Sequence, residues 1–172
     1  MKRQLPIEIR PMRGFDMAAV MEIERHSFSM PWTEPEMRNC IRMHGIAALV
    51  ATYNDTVVGF MVMEVDKREI VLLDLAVHED WRYKRVGAQL IDYAKSMLNN
   101  KIETIVLSTF AENLDAQLFF RQMGFKCIGT DRYEYQNSEW EVYVFEFSRP
   151  AEVAEACDDE KGRPHRKAKG DR

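Results

Sequence analysis

Cysteine is scarce in this 172-residue chain. Cys40, Cys127 and Cys157 are few, odd in number and widely spaced, which excludes a disulfide framework and a cysteine zinc cluster. A reducing, cytoplasmic compartment is the simpler expectation. Long apolar runs are also missing, and none approaches the roughly 20 residues a membrane helix needs. Met1-Lys2-Arg3-Gln4-Leu5-Pro6 carries charge but lacks the apolar core of a signal peptide. The histidines His26, His44, His78 and His165 are dispersed without ligand spacing, so no metal site is expected. Positive charge is not in excess: the formal net charge of −4 argues against a general nucleic-acid binder. No internal repeat is visible.

The remaining balance, 46% hydrophobic and 30% charged, is that of a soluble globular protein with room for one domain and a real core. Ile7 to Arg10 alternates as a short strand. Asp16 is a plausible N-cap for an amphipathic helix with Val20, Ile23 and Ser27 on one side. Thr33 caps a second helix, with Glu36 as its capping-box partner. Runs 47–53 and 57–65 flank the turn signal Asn54-Asp55. Run 69–77 is almost continuously apolar at Ile70-Val71-Leu72-Leu73, which predicts a central strand. A helix over 86–98 buries Leu90, Ile91, Ala94 and Leu98. A strand over 102–109 follows, then a helix over 113–123 stopped by Gly124. Strands at 125–130 and 141–147 complete the order β-α-α-β-β-β-α-β-α-β-β, an α/β arrangement with mixed strand directions.

Residues 1–150 form the expected domain. From 151 to 172 an acidic stretch gives way to a basic one with few large apolar residues, which predicts a flexible charged tail. Cys127 is expected in the core, and the eleven methionines read as core filler. Trp140 has a packing role as its default. Trp32 either anchors its loop or lines an entrance.

The most informative segment runs from Leu73 through Val77 to Arg82-Tyr83-Lys84-Arg85-Val86-Gly87-Ala88. An apolar strand enters a basic turn that opens a helix. Unpaired N–H groups and the positive end of the helix dipole favour phosphate there. Arg82, Lys84 and Arg85 add charge, and Gly87 permits close approach. Alone, such a turn is as easily a solvated basic loop.

The stretch L-D-L-A-V-H-E-D-W-R-Y-K-R-V-G-A-Q-L-I resembles the acetyl-CoA motif of the GNAT superfamily, whose phosphate turn usually reads Arg/Gln-x-x-Gly-x-Gly/Ala. Arg82 matches its first position and Gly87 its last. Arg85 stands where the first glycine is usual, a change that either crowds the pyrophosphate or, the favoured expectation, keeps the same backbone and adds a cation. Residues 23–34 look like the first-helix signature of RimI-type protein N-terminal alanine acetyltransferases. Asn113 with Leu118 to Phe125 resembles the family's Asn…Leu-Tyr-x-x-x-Gly-Phe segment.

The resemblance covers roughly residues 5 to 150. It implies a GNAT fold: a mixed, mostly antiparallel sheet flanked by helices. It also implies acetyl-CoA as cosubstrate, held by Leu75, Ala76, Val77, Arg82, Arg85, Val86, Gly87, Ala88, Asn113 and Phe120. Asn113 is equally suited to cap the helix it precedes. The acceptor it implies is a primary amine, such as a protein N-terminal α-amine. A small amine (polyamine or amino acid) or acyl-CoA sensing without catalysis stays open.

RimI-type enzymes use a glutamate base and a tyrosine acid. Their positions hold Ser108 and Phe120 here, and neither can do that work at neutral pH. Glu64, Asp74, Tyr83, Tyr133 and Tyr135 are the cleft candidates in their place, and Tyr135 and Glu64 are the expected catalytic residues. Positioning with solvent is the other route to catalysis.

Overall fold

The computed structural model describes residues 5–135 and 138–150, with Tyr135 by its backbone only. In chain order the elements are β1 (Glu8–Pro11), α1 (Met17–Ser27), α2 (Glu34–Ile41), β2 (Ile46–Tyr53), β3 (Thr56–Val65), β4 (Glu69–Val77), α3 (Val86–Ser96), β5 (Thr104–Phe110), α4 (Leu114–Gln122), β6 (Lys126–Tyr135) and β7 (Ser138–Ser148). They build one seven-stranded sheet in the order β1-β2-β3-β4-β5-β7-β6. Neighbours are antiparallel except β4 and β5.

Local chemistry accounts for most of these elements. Asn54 and Asp55 both have positive φ (47° and 64°), the turn that lets β2 and β3 pair directly. Thr33 caps α2 by accepting from Glu36 N, while Glu36 Oε2 accepts from Thr33 N at 2.7 Å. Gly124 ends α4 with φ 85°, as its position predicts. Asp16 is different. It sits at the N-cap of α1, but its carboxylate does not cap the helix. It is drawn instead to Arg10, 2.8 Å away, and to Arg13 N at 2.7 Å, so it ties β1 to the helix entry.

Two apolar layers cover the sheet. On one face α1 and α2 contribute Met17, Val20, Met21, Ile23 and Met37 against Phe60, Val62 and Ala76. On the other, Leu90, Ile91 and Ala94 of α3 and Phe120 of α4 meet Met61, Met63, Ile70, Leu72, Ile105 and Leu107. Leu98 lies beyond the end of α3 and is only half-buried. Most of the methionines serve this core, whereas Met43 is 63% exposed past α2. Cys127 is not a core residue: β6 is an edge strand and its thiol is exposed, contacting Gly129 O. Cys157 and the tail lie outside the described residues.

Two irregularities in β4 shape everything that follows. Val62 pairs with Asp74 and Met63 with Leu72, so Leu73 is an extra, bulged residue. Side chains alternate faces along a strand, and one extra residue inverts the phase. Ile70 and Leu72 face α3, yet beyond the bulge Leu75 and Val77 do so, while Asp74 and Ala76 turn toward α1. The second irregularity is a split. β4 and β5 pair only from Glu69–Thr104 to Leu72–Leu107. β5 continues along β7 to Phe110, and β4 along β3 to Val77. Past Leu72 the two parallel strands therefore part.

Candidate active site

The split opens into a cleft of about 1620 Å³. Leu73 to Val77 form one wall and Val106 to Phe110 the other. The turn and first residues of α3 close one end. Phe28, Met30, Pro31, Trp32, Asn39, Cys40 and Met43, from the α1–α2 region, extend the lining elsewhere. Leu75 and Val77 are half-buried on this wall, and Ala76 packs beneath α1.

The turn holds its shape with two left-handed residues, Tyr83 (φ 60°) and Arg85 (φ 65°). Arg85 is the N-cap of α3 and adopts the conformation that glycine usually supplies, without a side-chain cap. The first-turn N–H groups of Val86, Gly87 and Ala88 have no intrahelical acceptor, and these residues line the cleft. That is a fitting cradle for a pyrophosphate. A Cβ on Gly87 would stand 3.3 Å from Phe119 Cζ, so glycine keeps the turn and α4 in contact. Beneath it Gly59 plays a similar part that no local sequence pattern announces: its Cβ would meet Ala76 O at 3.1 Å and Val86 Cγ1 at 3.2 Å.

The other expected cofactor residues divide. Arg82 donates to Val77 O at 3.2 Å and Ser27 Oγ at 3.3 Å, bracing strand end against α1. Asn113 caps α4, accepting from Ala116 N at 3.1 Å, and lines the cleft. Phe120 is nearly buried and stacks edge-on with Phe119 and Phe125. Ser108 is exposed on the cleft wall just past the split. Trp32 lines the cleft, while Trp140 packs against Phe110 and Tyr133.

Of the two expected catalytic side chains, only that of Glu64 lies among the described residues. Glu64 is exposed on β3, where its charge is felt by Cys40, and it is not among the residues lining the cleft. Tyr135 pairs with Ser138 at the end of β6, and its side chain lies outside the described residues. Of the alternatives, Tyr83 is 96% exposed and Tyr133 44% exposed at the cleft rim.

What the fold does bring together is Glu24 and Asp74. Both line the cleft, and they are 1% and 8% exposed. Glu24 Oε1 accepts from Trp32 N at 2.7 Å. Glu24 Oε2 and Asp74 Oδ2 find no donor among the described residues. Two carboxylates offer only acceptors, so a bond between them requires a proton on one. Burial first, then the charge of Glu24 and the bond to it, push Asp74 up to about 8. Burial raises Glu24 as well, opposed by the Trp32 N–H. Glu24 is absent from the candidates that sequence suggests, although it lies four residues after Val20, on the same buried stripe.

A split parallel strand pair that runs into an anion-binding turn at a helix N-terminus suits an extended ligand that ends in phosphate. The acetyltransferase (GNAT) family model matches residues 17–125, and the chain belongs to that family. It is similar to an uncharacterised N-acetyltransferase of Methanocaldococcus jannaschii, 28% identical over 69% of this chain and 77% of that one. Among solved structures, the ribosomal-protein-S18-alanine N-acetyltransferase of Escherichia coli superposes with a TM-score of 0.72. It is 20% identical, over 83% of this chain and 93% of that one. Arabidopsis thaliana Naa50, bound to the bisubstrate analogue CoA-Ac-MVNAL, gives 0.70 at 21% identity, over 84% and 100%. Other matched structures hold acetyl-CoA or coenzyme A itself. The chain is thus an acetyl-CoA-dependent N-acetyltransferase with the expected mixed, mostly antiparallel GNAT fold. No helix among the described residues is long and apolar enough to cross a membrane.

Proposed function

We propose that this enzyme acetylates the α-amine of a protein N-terminus in the cytoplasm, with residues 1–150 as its catalytic domain. The observation that carries this reading is the reach of the cleft. Its lining continues from the turn, past the strand split, to Phe28, Met30, Pro31, Trp32 and Met43, leaving room for a peptide beyond the acetyl group. The S18-alanine enzyme and the peptide portion of the Naa50 analogue support the same acceptor class.

In this reading the N–H groups of Val86, Gly87 and Ala88 hold the pyrophosphate, and Arg85 adds a cation beside it. The pantetheine arm lies along the free edge of Leu75 to Val77, with Asn113 and Phe120 bounding it. The neutral amine attacks the thioester carbonyl, the N–C bond forms and the C–S bond breaks. Phe120 offers the leaving thiolate no proton, so the nitrogen's surplus proton reaches sulfur directly or through water. Holding the two reactants in one cleft supplies much of the acceleration.

Thiol release tests the assignment, with acetyl-CoA and a panel of N-terminal peptides, polyamines and free amino acids. Turnover on peptides alone is expected. Turnover confined to small amines would redirect the acceptor, and CoA binding without any transfer would make the protein a sensor.

A further inference from the structure

We infer that Glu24 and Asp74 act together as the proton acceptor for the amine, replacing a base that Ser108 cannot supply. This rests on the α-amine reading above and deepens it. Three observations support the pair's place at the chemistry. Asp74 follows the bulge at Leu73, which turns its side chain to the α1 face, opposite the α3 side. It lies two residues past the last β4–β5 pair, Leu72–Leu107, at the apex of the split. No other group among the described residues donates to Glu24 Oε2 or Asp74 Oδ2, and both residues line the cleft, so these oxygens depend on the proton they share or on a donor that a ligand brings.

The groups around the pair leave that task open. From the α1–α2 connection, Trp32 N–H binds only Glu24 Oε1. From α2 comes the Cys40 thiol, pushed up by burial and then by the charges of Asp74 and Glu64. Glu64 of β3 adds negative charge, and the Leu75 N–H of β4 favours ionised Asp74. Of the cations lining the cleft, Arg82 bonds to Val77 O and Ser27 Oγ, Lys95 bonds to Met123 O, and Arg85 belongs to the turn. An incoming ammonium is the missing counter-charge.

The proton balance closes. At rest the pair shares one proton. Entry of the ammonium favours release of that proton to solvent, and the dianionic pair then takes one proton from nitrogen. The neutral amine attacks, its nitrogen gives one further proton to the departing thiolate, and the pair returns to its one-proton state. Net products are the amide, free CoA and one proton. The pair's affinity, about 8 at Asp74, matches an α-amine at roughly 7.7–8.0 and falls short of a lysine amine at roughly 10.4. Transfer from lysine would be opposed more than about a hundredfold.

The test compares wild type, Glu24→Gln and Asp74→Asn on an alanine-initiated peptide and on an alkoxyamine, which is neutral at the assay pH. Calorimetry of CoA binding checks that each variant is folded, and affinity should be unchanged. Peptide kcat/KM should fall about 100-fold or more in both variants, with an altered pH profile and a much smaller loss on the alkoxyamine. Equal losses on both amines, or an unaltered pH profile, would overturn the pair and leave the acceptor reading standing. Wild type that acetylates no amine would overturn both. Infrared titration of the wild type gives a readout that needs no substrate. A protonated-carboxyl band should disappear with a midpoint near 8 and be absent in Asp74→Asn, and its absence from wild type would also overturn the pair.

Discussion

Arg85 shows what one residue can reveal and conceal. Its left-handed φ of 65° shows that the backbone of the turn survives the loss of the usual glycine. An L-residue there is disfavoured by roughly 1 kcal/mol. Arg85→Gly should therefore raise stability by about 1 kcal/mol in urea denaturation, while the lost cation raises the KM for acetyl-CoA. Asp74 gives a second prediction. Its folded pKa is raised to about 8, so its contribution to stability is complete below the unfolded carboxylate range, near 4, and is lost as pH rises through 8. Glu24, also raised, has the same sign. Urea midpoints should drop between pH 6 and pH 9 in wild type, and the drop should shrink in Asp74→Asn. Asp74 is legible in the sequence as a cleft residue. Its partner is not, because pairing across distant segments is a tertiary event that no local pattern encodes.

At the scale of elements, caps and turns are the most legible features, since they depend on a few adjacent residues. Thr33 and Glu36 form the box their spacing predicts. Thr33→Ala should cost about 1 kcal/mol of stability by chemical denaturation. It should also raise the KM for peptide, because the neighbouring Trp32 N–H steadies Glu24. The bulge at Leu73 is illegible for a physical reason. Ile70-Val71-Leu72-Leu73 has no polar alternation, so nothing in the run announces where the phase inverts. Cys127 departs from expectation because strand character says nothing about whether a helix covers the strand, and β6 is an edge. Asp16 departs from it because Arg10 competes for the carboxylate that a cap would need.

For the molecule as a whole, the mixed, mostly antiparallel sheet and the cofactor turn follow from family resemblance, whereas where the split begins is seen only in the pairing of β4 with β5. Acetyl-CoA should slow hydrogen exchange at Leu73 to Val77 and at Val86 to Ala88, the segments whose backbone groups face the cleft. Gly87→Trp should abolish that protection by filling a cradle that is already narrow, since Phe119 Cζ stands only 3.3 Å from where a Cβ would project. Protection unchanged in that variant would mean the cofactor lies elsewhere.

The short pairing of β4 with β5 has a mechanical side as well. The sheet is two antiparallel plates, β1 to β4 and β5 to β7, stitched by a seam of four residue pairs. A cosubstrate laid in the open part of that seam lengthens the stitch. Pulled across the plates, the molecule should part at the seam, and should need more force when acetyl-CoA is bound.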